Sequence, residues 1–213
     1  MEAESFTVAA YLTAEAHDRA TSASPRPRER HDPVAWEGRS APMPETYPIG
    51  RLTLPASLDL GAVMTAIDRI EALPAALAVA LDGCADLDHP IREGAWTIRQ
   101  LTHHVADSHM NAFARTKLAL TEDGPTVRPY DEVAWSRTAD AALPVEPSLA
   151  LLGGLHRRWV ELLRSLGPAE LERPWHVPDK PVTYALWRLP LVYGWHGDHH
   201  VAQIERAREH FGV

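Results

Sequence analysis

YALWRLPLVYGWHGDHHVAQIERAREHF, residues 184–211, sets Leu189, Tyr193, His196, His200, Ile204 and Ala207 at steps of three and four. That period lines one face of a helix, so the spacing predicts a helix over the whole stretch, with Pro190 kinking its first part. Two histidines interrupt an otherwise apolar stripe. Four residues apart on a helix, their imidazoles project from one side about a turn apart and can both reach one ion.

The same reading of faces gives three more helices upstream. From Leu58 to Asp82, Val63, Ile67, Ile70, Leu77 and Leu81 share a face, and Pro74 is expected to kink or interrupt the helix that carries them. A second helix begins at Thr97, where Gln100 three residues on completes a capping box, and runs to Thr121 with Ile98, Leu101, His104, Val105, Ser108 and Ala112 inward. Ser148 is placed to cap a third helix lined by Leu149, Leu152, Leu155, Trp159, Leu162 and Leu166, ending near Gly167-Pro168. Glu122 to Glu146 contains Pro125, Pro129 and Pro144 and has no sustained period, so it reads as a long, functional loop between helices two and three. Four amphipathic helices without an alternating strand predict an all-α, antiparallel four-helix bundle over residues 46–213. Residues 1–45, with Ser22, Ser24, Pro25, Arg26, Pro27, Arg28, Glu29 and Arg30, read as a flexible tail, and Met43 as an alternative translation start.

Composition narrows the function. A formal net charge of −8 argues against nucleic-acid binding through phosphate neutralisation. Glu2 and Glu4 stand where a secretory signal needs basic residues, the lone Cys84 cannot form an internal disulfide, and no run approaches the roughly 20 apolar residues of a membrane span. A cytoplasmic protein acting on a small molecule is the expectation. Six of the twelve histidines fall in two windows, His103, His104 and His109, and His196, His199 and His200. His104 is on an inward stripe and supplies a third imidazole, leaving a metal position open for water or substrate. From spacing alone, hydrogen-bonded core histidines fit His196 and His200 as well as a metal clip does. His103, His109 and His199 lie off the inward stripes and suit surface or supporting places. Asp107, three residues after His104, can orient a ligand imidazole, act as a base, or simply face solvent. Tyr130, Asp131, Glu132, Arg115 and Arg158 suit a polar substrate or thiol, and equally suit loop-anchoring ion pairs. Trp135, Trp159 and Trp195 read as packing, and Cys84 as a small buried apolar residue.

These residues carry a family resemblance. Tyr47-Pro-Ile-Gly50, Gly94-Ala-Trp-Thr-Ile-Arg-Gln100, His103-His-Val-Ala-Asp-Ser-His-Met-Asn111, Arg128-Pro-Tyr-Asp-Glu132 with Trp135, Leu155-His-Arg-Arg-Trp159 and Trp195-His-Gly-Asp-His-His200 with Gln203-Ile204 resemble the DinB superfamily. Within it they look like the YfiT-like group of metal-dependent hydrolases. The family's metal histidines fall on His104, His196 and His200. The resemblance implies a four-helix homodimer with one divalent metal per chain, zinc or nickel. It implies a low-molecular-weight-thiol S-transferase using a bacillithiol- or mycothiol-like co-substrate; a hydrolase acting through metal-activated water and a non-catalytic stress-response metal protein are the alternatives. Gln203, where some relatives carry a further histidine, departs from the pattern.

Overall fold

The computed structural model describes residues 46–178 and 180–213; the tail expected over 1–45 and the start at Met43 lie outside them. Four long helices carry the fold: α1 (Leu60–Leu81), α2 (Ile98–Thr121), α4 (Glu146–Arg164) and α6 (Arg188–Phe211). Single turns α3 (Glu132–Trp135) and α5 (Pro168–Leu171), and a 3-10 turn at Ala139–Ala142, lie in the connections. The all-α four-helix bundle is the expected architecture.

Cross-helix contacts give the course of the chain. Ala66 faces Gly194, Arg69 pairs with Asp198 at 3.5 Å, and the Ala80 carbonyl accepts from Arg208, so α1 and α6 run parallel. His103 meets Ser148, His109 meets His156, and Trp159 donates to Thr116, so α2 and α4 also run parallel. Against α6, His104 lies opposite His200 while Arg115 reaches Tyr193, which makes that pair antiparallel. The helices therefore run up, down, down, up. α1 packs on α6 and α4, and α2 on the same two, so the antiparallel contacts of the bundle are α2 with α6 and α1 with α4. The course also explains the long loop. Because α2 and α4 are parallel neighbours, residues 122–145 must return the length of a helix of about 36 Å, and they cross the bundle as they do so.

Several boundaries differ from expectation for local reasons. Thr97 and Gln100 form the capping box as predicted. α4 starts earlier than Ser148, because Pro147 has a backbone already set for a first turn; Ser148 lies inside that turn and bonds His103 at 2.7 Å. α1 runs unbroken through Pro74. Pro190 does not kink the last helix, since α6 begins at Arg188 and the proline falls in the first turn, where an N–H has no helical partner. Residues 183–185 instead form β2, antiparallel to β1 (Pro174–His176), with the buried rings of Trp175 and Tyr184 in register. Three-residue strands are too short to show a period. The parallel α1 and α6 come close because Gly194 and Gly197 have no Cβ; one at Gly194 would lie 2.9 Å from the Ala66 carbonyl oxygen.

Candidate metal centre

α2 contributes His104 and α6 contributes His196 and His200, all about 4% exposed. The Nε2 atoms of His104 and His200 lie 3.2 and 3.1 Å from that of His196, and one nitrogen from each ring falls within 4.8 Å of the others. A tetrahedral ion about 2.05 Å from each nitrogen would set neighbouring donors about 3.3 Å apart, so the spacing fits three ligands on one metal. It also resists another use. Nitrogens facing each other in a cluster cannot all hold hydrogens, and three lone pairs turned inward repel unless a cation lies between them. Zinc and nickel both accept imidazole donors.

Each ring is held from behind. Tyr130 Oη lies 3.3 Å from His104 Nδ1, His109 Nε2 lies 3.3 Å from His196 Nδ1, and Gln203 Oε1 lies 2.8 Å from His200 Nδ1. Gln203 is oriented by donating its amide to the Thr46 carbonyl at 3.0 Å. Behind His109 stands His156, 3.0 Å away, whose other nitrogen reaches the Ile70 carbonyl. Outer partners of this kind fix the tautomer and aim of ligating histidines. Burial pushes His104, His109 and His196 well below the usual imidazole range, and neighbouring imidazoles add to it. Burial likewise takes His200 to about 4, although its bond to Gln203 opposes the shift. The site thus presents neutral imidazoles, the form that binds metal.

The other expected residues divide. Tyr130 is at the site, its phenol pushed up by burial and by the Tyr193 phenol, so it stays protonated. Trp135 packs on it with ring centroids 4.6 Å apart. Asp107 does not orient a ligand: the outer nitrogens are bonded elsewhere, and its half-buried carboxyl, pushed up to about 6 by burial and then by Asp140, answers to His103. Arg115 is buried and donates to Tyr193 Oη at 3.0 Å, which makes it a core residue. Arg158 is exposed and stacks its guanidinium over Phe113. Glu132 is buried in α3, and Asp131 caps that turn by accepting from the Ala134 amide. Trp159 is buried, Trp195 stacks on His199 with centroids 4.6 Å apart, and Cys84 packs against the apolar core. A polar cleft of about 570 Å³ opens elsewhere, between Thr97 and Gln100 of α2 and Ser136 and Thr138.

Two contributors escaped the sequence reading. His156 shares the inward face of α4 with Leu152 and Trp159, a position that could have singled it out. Trp96 packs its ring 4.6 Å from that of His104, and nothing in its spacing announced this.

Residues 66–204 match the DinB superfamily. A Geobacillus kaustophilus protein named "putative metal-dependent hydrolase" is 46% identical over 172 residues, covering 79% of this chain and 97% of the relative. A Bacillus mycoides protein of the same name is 46% identical over 165 residues, covering 76% and 95%. Among solved structures, YfiT of Bacillus subtilis superposes with a TM-score of 0.75 at 41% identity, covering 78% of this chain and 97% of YfiT; its bundle topology is described as unusual. The chain belongs to the DinB superfamily and to its YfiT-like branch.

Proposed function

We propose that the protein is a metal-dependent hydrolase in which His104, His196 and His200 hold one divalent metal, zinc or nickel. The carrying observation is the convergence of three buried Nε2 atoms with no carboxylate or thiol grouped beside them among the described residues. Structural zinc is closed by four protein ligands, whereas catalytic sites keep three and leave a position for water or substrate. That count favours an enzyme over a stress-response protein with a structural metal. The name carried by the relatives supports hydrolysis. When bound, the metal supplies Lewis-acid polarisation and a nucleophile at neutral pH. The chain supplies the rest. The imidazoles bring their lone pairs without first losing a proton, and Trp96 shields His104 from water. The Tyr130 phenol, kept protonated, has hydrogen-bonding capacity to offer a polar group of the substrate. Asp107 lies near enough to raise that phenol, and a carboxyl near 6 exchanges protons readily at neutral pH. Glu132, Arg115 and Arg158 act at most through packing in this reading.

Thiol S-transfer is the second reading. Cys84 belongs to the core, so any sulfur at the centre must arrive with a co-substrate. A homodimer in the cytoplasm acting on a small molecule belongs to the same proposal. The test is elemental analysis of untagged protein, then an ester and amide panel before and after chelation, with and without thiols. About one metal per chain and metal-dependent cleavage without thiol is the expected result. Turnover only with a thiol and an electrophile would favour transfer, and protein purified without metal that binds none on addition would overturn both.

A further inference from the structure

Within a helix each N–H satisfies the carbonyl four residues back, and proline has no N–H. Pro74 therefore leaves the Ile70 carbonyl of α1 without its helical donor. That carbonyl is not stranded: His156 reaches it from α4 through Nδ1. A carbonyl only accepts, so the hydrogen is on His156 Nδ1, and a neutral imidazole then has a lone pair at Nε2. That lone pair faces His109 Nδ1 at 3.0 Å, so His109 donates from Nδ1 and becomes an acceptor at Nε2. His109 Nε2 lies 3.3 Å from His196 Nδ1, which must donate in its turn. The Nε2 of His196 is left bare, facing the corresponding atoms of His104 and His200. The rings are 0%, 2% and 4% exposed for His109, His156 and His196, and among the described residues no carboxylate bonds any of them, which keeps the series neutral.

We propose that Pro74, the Ile70 carbonyl, His156 and His109 form a tautomer lock, a set of positioning residues that presents His196 to a metal with its Nε2 free of hydrogen. The direction of every hydrogen bond in the series follows from one backbone acceptor, and that acceptor is available because residue 74 is proline. The lock rests on His196 being a ligand, yet its own signature exists without metal.

The experiment uses the full chain, metal-free and labelled with nitrogen-15 in histidine, and reads ring tautomers by long-range proton–nitrogen correlation near neutral pH. His156, His109 and His196 should all carry hydrogen on Nδ1; finding it on Nε2 of His109 or His196 overturns the lock. Zinc affinity by chelator competition then separates positioning from packing. His156→Phe removes the acceptor behind His109 and should weaken zinc by up to about tenfold, the low end of the range for partners that touch a ligand, because His156 acts through His109. His156→Gln can still donate to Ile70 and accept from His109, and should recover most of that loss; a Gln variant as weak as the Phe variant overturns the proposal. Pro74→Ala returns a helical N–H to the Ile70 carbonyl. It should raise the melting temperature, because proline is the poorest helix-interior residue, while mixing the His109 tautomers and weakening zinc. Affinity unchanged or improved alongside stability would remove Pro74 from the lock. Correct tautomers in a protein that binds no zinc would sink the metal reading and leave the lock standing.

Discussion

The two sides of the histidine centre are built differently. Behind His196 stand only long helices: His109 on α2, His156 on α4 and the Ile70 carbonyl on α1, with the side chains buried. Behind His104 stands Tyr130, carried by the crossover loop, and behind His200 stands Gln203, whose amide is fixed by Thr46 where the described chain begins. One side is locked by the packing of the bundle. The other ends in half-buried loop segments that can change without disturbing the core. A rigid scaffold with a loop laid across it is the usual way to hold reactive groups still while leaving the substrate side adaptable.

The largest effect should come from removing a ligand on the locked side. His196→Ala is expected to abolish metal binding and also to leave His109 Nε2 buried without its partner, a cost of about 1–3 kcal/mol. His104→Ala should lose the metal with a smaller fall in melting temperature, because Tyr130 is at the loop face. Elemental analysis with thermal melts reads both, and equal melting temperatures would erase the proposed difference between the sides. Helical circular dichroism should persist in each, since the apolar faces of the helices carry the fold.

Acid should act next, chiefly on the metal-free protein. His156 and His200 are held at about 4 and His199 at about 3, in each case mainly by burial. Between an unfolded value near 6.5 and those values the unfolded chain binds more protons than the native one. Stability is therefore complete above pH 6.5, falls as pH drops, and levels off only below about 3, the value of His199. Each imidazole lowered by about two units contributes on the order of 3 kcal/mol. Urea melts from pH 7.5 to 4 check this, and a flat profile would mean that these rings are not buried neutral.

Much of this was legible before any coordinates. The capping box at Thr97 and the apolar faces of α1 and α2 follow from the local pattern, and His104, His196 and His200 stand out as imidazoles on inward faces. The face expected for α4 is turned: Leu152 and Trp159 are buried as expected, but His156, Val160 and Leu163 complete the buried side while Leu155 and Leu162 are only half-buried. What escaped depends on neighbours far along the chain. That α1 and α6 approach so closely rests on Gly194 and Gly197, each unremarkable until Ala66 and Leu73 are opposite it. From the sequence Pro74 reads as a defect in a helix, and only the arrival of His156 from α4 turns the Ile70 carbonyl it leaves without a helical donor into an anchor. Arg115 suits a polar substrate or an ion pair by its charge alone, and the structure uses it for neither: it is buried in the core and donates to Tyr193 Oη. His109 falls off the inward stripe and so suits a supporting or surface place by sequence; with helices on more than one side of α2, that position is interior as well.

The smallest effects should separate His104, held by the loop residue Tyr130, from His200, held by Gln203 of its own helix. Gln203→Ala removes the acceptor from His200 and the link to Thr46, and metal affinity should fall about tenfold, the low end for partners behind ligands. Tyr130→Phe keeps the ring against Trp135 and deletes one hydrogen bond to His104, worth about 1 kcal/mol or a factor of about five. If Tyr130 also contacts substrate, its variant should lose turnover even when metal is saturating, whereas Gln203→Ala should lose metal affinity and regain full turnover once the site is filled. Metal titration beside kinetics at saturating metal distinguishes them. A Tyr130→Phe enzyme with normal turnover would confine the phenol to holding His104, and the loop would then act on the metal alone.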